Sequence, residues 1–96
     1  MVIIAGKVYV ATDQRDAYVT GFQEFIKNER NEPGCLDVVV AADPIEDNRV
    51  NLFELWDSQE HMDAFRRIAK SPALTTEILE DHTMKYEISA SGPSWP

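Results

Sequence analysis

Glu54, Trp56, His61 and Phe65 are the residues whose types and spacing could do chemistry in this sequence. Glu54 sits midway along an apolar run, RVNLFELW at 49–56, where an acid needs a partner or a task because burying an unpaired charge is costly. Trp56 offers an aromatic surface two residues on. His61 follows in the first turn of a helix opened by Ser58, and Phe65 lies one helical turn beyond. If that helix folds back over its own strand, the four line one small pocket, in which the helix dipole disfavours the charged form of His61 and suits it to act as a neutral base. His61 and Glu54 are the candidate catalytic groups, with His61 as proton acceptor. Trp56, Phe65, Tyr9 and Leu52 are the candidate substrate-binding groups, Tyr9 through its hydroxyl. Each has a plainer reading: Trp56 as core, Glu54 as a partner in a salt bridge across a dimer, His61 as a spectator, Tyr9, Tyr18 and Tyr86 as space-filling.

The elements that must position these residues follow from the apolar pattern. Residues 2–11 alternate as a strand, with Val2, Ile4, Val8 and Val10 on one side and Ile3, Ala5, Tyr9 and Ala11 on the other. Thr12 to Asp16 resembles a capping box with Asp in the acidic role. A helix over 15–31 carries the stripe Tyr18, Val19, Phe22, Phe25 and Ile26, with Gln23, Lys27, Glu29 and Arg30 toward solvent. Gly21 inside it leaves room for close packing on the sheet. Asn31-Glu32-Pro33-Gly34 ends the helix, and a Val-rich strand follows over 35–42. A polar hairpin loop at 43–48 leads to the strand at 49–56. The second helix runs from Ser58 to Lys70, with His61, Phe65 and Ile68, flanked by Met62 and Ala69, on its apolar face and Pro72 as its stop. A short helical stretch with Leu74, Ile78 and Leu79 comes next, then a last strand over 82–89 that places Met84, Tyr86 and Ile88 on one face.

The order β-α-β-β-α-β predicts an α+β, ferredoxin-like domain over 1–90 with a four-stranded antiparallel sheet and a patternless tail over 91–96. Three of the four strands are apolar on both faces, whereas helices cover only one. The uncovered face predicts a homodimer packed sheet to sheet, a dimeric α/β barrel.

Composition narrows the classes further. The 96 residues make one domain, and a net charge of −8 without a Lys/Arg cluster argues against nucleic acid and anionic membrane surfaces. Cys35 is the single cysteine, expected as a small core hydrophobe in a reducing compartment. The first six residues lack the basic start of a signal peptide and are too few to span a membrane, so the cytoplasm is the expected location. No metal-ligand spacing, Gly-rich phosphate loop or nucleophile motif occurs, and no metal or other cofactor is expected.

Asn31-Glu32-Pro33-Gly34-Cys35-Leu36, then Glu54-Leu55-Trp56-Asp57-Ser58 leading into Glu60-His61-Met62, resembles the antibiotic biosynthesis monooxygenase family. The likeness runs from the first strand to about Ile88. It implies a ferredoxin-like dimer, a ligand cleft between sheet and helices, and oxygenation of quinol-like or polyketide aromatics without metal or flavin. Members that form polyketide quinones carry an Asn four residues before the strand Trp, where this chain has Leu52. Haem-degrading members use an Asn on the first strand with a Trp and a His on the second helix. Those places here hold Lys7, Phe65 and no histidine, which disfavours haem degradation. The reading is a cofactor-independent monooxygenase oxidising a quinol, phenol or polyketide-like aromatic with dioxygen. The alternative is a non-catalytic dimeric module that binds a small apolar ligand in the same cleft.

Overall fold

The computed structural model describes residues 1–95. Strand β1 (Val2–Tyr9) is followed by a single 3-10 turn and helices α1 (Arg15–Gly21) and α2 (Gln23–Glu29). Strands β2 (Cys35–Ala42) and β3 (Arg49–Trp56) form a hairpin, α3 (Gln59–Ile68) comes next, and the chain closes with β4 (Glu80–Asp81) and β5 (Met84–Glu87). All pairings are antiparallel, in the order β2-β3-β1-β4, with β5 also on β1. This is the split βαβ arrangement.

The expected last strand is in two pieces, and the reason lies in β1. Ala5 pairs with Met84 and Val8 with Asp81, so β4 and β5 keep one register across the interruption. Between them stands Gly6, with φ of 148°, and a Cβ there would collide with the carbonyl oxygen of His82. Only glycine holds that conformation readily. The strand therefore bends around Gly6 instead of running unbroken from 82 to 89.

The first helix also differs from a single rod over 15–31. Phe22 separates α1 from α2: its amide donates to the Val19 carbonyl at 3.2 Å, a tightened turn, before the ladder resumes with Ile26 N–H to Phe22 O. The capping box at Thr12 is absent, for the Thr12 hydroxyl donates instead to Asp47 Oδ1 at 3.3 Å. Among the described residues no helix forms after Pro72. Leu74 instead packs against the inner core, over Gly21, so the glycine makes room for this segment and not for the sheet.

Two apolar clusters hold the layers together. Val2, Trp56, Met62 and Phe65 join β1 and β3 to α3; Val8, Val10, Tyr18 and Val50 join them to α1. Ser58 caps α3 as expected, its hydroxyl accepting from His61 N–H at 3.2 Å. The buried face of α3, however, is Met62, Phe65 and Ala69, while Ile68 and His61 are turned out. Among the described residues no helix is long and apolar enough to cross a membrane.

The helices cover the face that carries Val2, Val8, Val38, Val50 and Trp56. Strand alternation puts the other side chains on the open face, in rows set by the register: Leu55, Ile3 and Tyr86 in one, Val39, Phe53, Ala5 and Met84 in the next. The expected 91–96 tail is exposed over 91–95, and Pro96 lies outside the described residues.

Candidate active site

The two sequence segments singled out above are knitted to each other. Gly34 takes φ of 83°, and its carbonyl accepts from Asp57 N–H at 2.8 Å, while Cys35 pairs with Trp56 across the β2–β3 ladder. A Cβ at Gly34 would collide with the Asp57 and His61 side chains. The turn thus needs glycine twice, for its backbone and for the space above it. Asp57 Oδ1 lies 2.7 Å from His61 Nδ1. A carboxylate can only accept, so Nδ1 donates and a neutral His61 keeps Nε2 as its acceptor. That bond holds the Asp57 carboxyl below its ordinary range. Both side chains are close to half exposed. With Glu32, Pro33, Ala64, Phe65 and Ile68, His61 lines an outer groove of about 310 Å³.

A second recess lies deeper, between the sheet and α1–α2. Glu54 and Trp56, two apart on β3, point to the helix side, and Trp56 Nε1 donates to Glu54 Oε1 at 3.1 Å. From α2, Glu29 reaches the same cleft, beside Glu54. Glu29 is only 2% exposed, and its Oε2 finds no donor among the described residues. Burial, reinforced by the neighbouring Glu54 carboxyl, pushes Glu29 up to about 9, with Arg66 opposing in part. Such a carboxyl stays protonated at neutral pH and acts as a donor. Phe22, Phe25, Ile26, Val40 and Leu52 wall this inner cleft, whose free volume is about 60 Å³. Cys35 sits nearby with its thiol pushed up to about 11, by burial first and then by Glu29 and Glu54; it is a packed thiol, not a nucleophile.

The single pocket expected around Glu54, Trp56, His61 and Phe65 is therefore two recesses. Glu54 and Leu52 line the inner cleft, His61 and Phe65 the outer groove, and no residue lines both. Trp56 is fully buried and lines neither recess; its indole N–H supports Glu54. Phe65 stacks between Trp56, at 5.5 Å between ring centroids, and Phe25, at 5.8 Å, so Phe25 and Phe65 stand as the partition. Tyr9 is outside both recesses: it faces the open side of the sheet and its hydroxyl donates to Glu46 at 3.1 Å. Tyr18 is core and Tyr86 lies exposed on the open face.

Sequence reading missed Glu29, which it assigned to solvent. The signal was present: Glu29 follows Phe22 by seven residues, Phe25 by four and Ile26 by three, which is the spacing of the apolar stripe itself. An acid in register with such a stripe is the pattern to look for. Among the described residues no group of three His, Cys, Asp or Glu side chains could hold a metal ion.

A ferredoxin-like sheet with helices on one face and an acid-bearing recess between the layers defines the structural class. Its solved relatives include an antibiotic biosynthesis monooxygenase, by family assignment, from Deinococcus radiodurans, with TM-score 0.73, 18% identity and 97% of each chain covered. Another is MhuD, a haem-degrader from Mycobacterium tuberculosis, with TM-score 0.69 and 13% identity over 97% of this chain and 100% of that one. At these identities the likeness is one of fold. An uncharacterized protein of Synechocystis is 32% identical over 62 residues, covering 65% of this chain; the chain spans 42% of the length of that curated relative. Residues 1–72 match the family described as antibiotic biosynthesis monooxygenase, and the chain belongs to that family.

Proposed function

We propose that the chain is a cofactor-independent monooxygenase acting on a hydroxylated aromatic, a phenol, quinol or polyketide-like ring. The observation that carries this reading is the carboxyl pair, Glu29 and Glu54, in an apolar, aromatic-walled cleft: a buried acid that holds its proton tightly beside a second carboxyl lets one site serve as acid and base together. The ring lodges where the inner cleft and the outer groove meet, once Phe65 swings from Phe25 and joins the two spaces. The combined volume then reaches the range of small-molecule sites. Glu54 takes the hydroxyl proton. The resulting phenolate is electron-rich enough to pass an electron to dioxygen, and the walls exclude water from the radical pair. Recombination forms one ring C–O bond, and loss of water leaves a quinone carbonyl. Dioxygen is a four-electron oxidant, and the substrate supplies all four electrons, so no outside reductant enters the balance. The Asp57–His61 pair stands at the groove mouth, where Nε2 can carry protons between the site and solvent.

The same reading includes a homodimer through the open sheet face. A compact monomer of this mass exposes about 5,600 Å², whereas this chain exposes 6590 Å². Rows such as Val39, Phe53, Ala5 and Met84 are what a second copy would cover. Sedimentation of wild type against Phe53→Lys tests it: two-fold mass lost in the variant supports the dimer, and a monomeric wild type refutes it.

A second reading, a non-catalytic dimeric module for a small apolar ligand, is favoured by Leu52, an apolar side chain on the cleft wall. Oxygen uptake separates the two: aromatics that stabilise the protein against heat without being consumed support the module.

A further inference from the structure

We propose that Glu29 is a catalytic residue of this cleft, the neutral hydrogen-bond donor to the same substrate oxygen that Glu54 deprotonates. The inference rests on the oxygenase reading for its substrate and on the geometry of α2 and β3 for its residues. Glu29 and Glu54 line the same small cleft, Glu29 from the helix side and Glu54 from the sheet. A hydroxyl offers one donor and acceptor lone pairs, so it can insert between the two carboxyls, donating to Glu54 and accepting from Glu29. When its proton moves to Glu54, the new phenolate oxygen keeps the Glu29 O–H pointed at it. Glu29 ends the step with its own proton, and charge passes from Glu54 to the substrate oxygen with nothing gained or lost.

Three observations support a working role over a structural one. Glu29 interrupts an apolar stripe in which a Leu or Ile would pack at no electrostatic cost. Its Oε2 is buried and, among the described residues, without a donor, on the wall of a cavity. Arg66, the basic side chain whose charge reaches it, is itself exposed and so is a screened partner. The remaining walls are hydrocarbon, which selects the ligand. An ammonium would leave donors unsatisfied and a carboxylate would add a second charge, whereas one hydroxyl matches one donor and one acceptor.

The test uses 4-nitrophenol, whose phenolate is read by absorbance, and its methyl ether 4-nitroanisole, both without oxygen so that no turnover intervenes. Bound 4-nitrophenol is expected to ionise about tenfold more readily on wild type than on Glu29→Leu, the worth of one hydrogen bond to a charged oxygen. Glu29→Gln retains an N–H donor and keeps most of the effect. The ether binds about tenfold more weakly than the phenol. If Glu29→Leu fails to fold by circular dichroism, Glu29→Met takes its place. Equal ionisation on wild type and on the folded apolar variant overturns the proposal, as does the absence of any protein-dependent shift in the spectrum. Intact ionisation without oxygen uptake on dihydroxynaphthalenes and anthrone-like phenols leaves the role of Glu29 standing and sinks the oxygenase reading alone.

Discussion

Glu29, on α2, and Glu54, on β3, line the same cleft between helices and sheet, and Trp56 Nε1 donates to Glu54 at 3.1 Å. The arrangement sets two carboxyls side by side where the helix layer meets the sheet. It also stores a cost, because a carboxyl buried beside another carboxyl holds its proton far above the ordinary range.

That cost has a sign. Glu29 titrates near 4.5 in the unfolded chain and about 9 in the folded one. Between these values the native state binds more protons, so stability falls as pH rises from about 4.5 to 9 and is greatest, for this group, below that window. Glu29→Gln removes the titration while keeping a donor for Glu54. It is expected to raise stability by roughly 1–3 kcal/mol at pH 8 and to change little at pH 4.5. Urea denaturation at the two pH values checks this, and an equal effect at both would refute it.

Gly34→Ala is expected to cost about 1–3 kcal/mol, because φ of 83° disfavours any side chain and the new methyl strikes Asp57 and His61. Denaturant midpoints give the number. A loss under 0.5 kcal/mol, within the usual scatter of surface substitutions, would mean that the joint between the turn and α3 is looser than described.

Trp56→Phe keeps an aromatic core but deletes the donor to Glu54. A loss of roughly 1–3 kcal/mol is expected from the unpaired carboxyl and the space left by the smaller ring. Trp56→Phe together with Glu54→Leu should lose less than the two single effects combined, since each residue satisfies the other. Additive losses in the double-mutant cycle would show that the 3.1 Å contact carries no coupling.

Asp43, in the β2–β3 loop, accepts from the backbone N–H groups of Glu46 and Ile45 and from Asn51, and its carboxyl is pulled down to about 2. The stability it contributes is present above its unfolded value of 3.8 and is lost as pH falls through 2. Asp43→Asn should therefore weaken protection of the Ile45 and Glu46 amides at neutral pH and flatten its acid dependence. Hydrogen exchange that matches wild type at both pH values would contradict this.

The sheet was legible because its strands announce themselves twice, by alternation and by their flanking turns. Both β2 and β3 fall where the pattern put them, and Ser58 caps α3 as its type and position require. Three of the departures share one cause, contacts between segments distant in sequence: Gly6 meets the His82 carbonyl, Leu74 fills the space above Gly21, and the Thr12 hydroxyl turns to Asp47. The tightened turn at Phe22 that divides the first helix is local. The site divided along the same line. Glu54 was visible as an acid in an apolar strand. Glu29 was not, because a charged residue was assigned to solvent by type although its spacing placed it on the core stripe. Likewise Ile68 and His61 looked like the inner face of α3, but Met62, Phe65 and Ala69 satisfy the same spacing and are the ones that meet Trp56 and its neighbours.

The central claim is that this cleft deprotonates a hydroxylated aromatic and lets dioxygen oxidise it. Oxygen consumption with dihydroxynaphthalenes and anthrone-like phenols, comparing wild type with Glu54→Gln and His61→Ala, tests it most directly. Uptake above the no-protein rate that falls about 10²-fold or more in Glu54→Gln, with a smaller loss in His61→Ala, is the predicted result. Uptake no faster than the no-protein control, or uptake that Glu54→Gln leaves unchanged, would contradict the account.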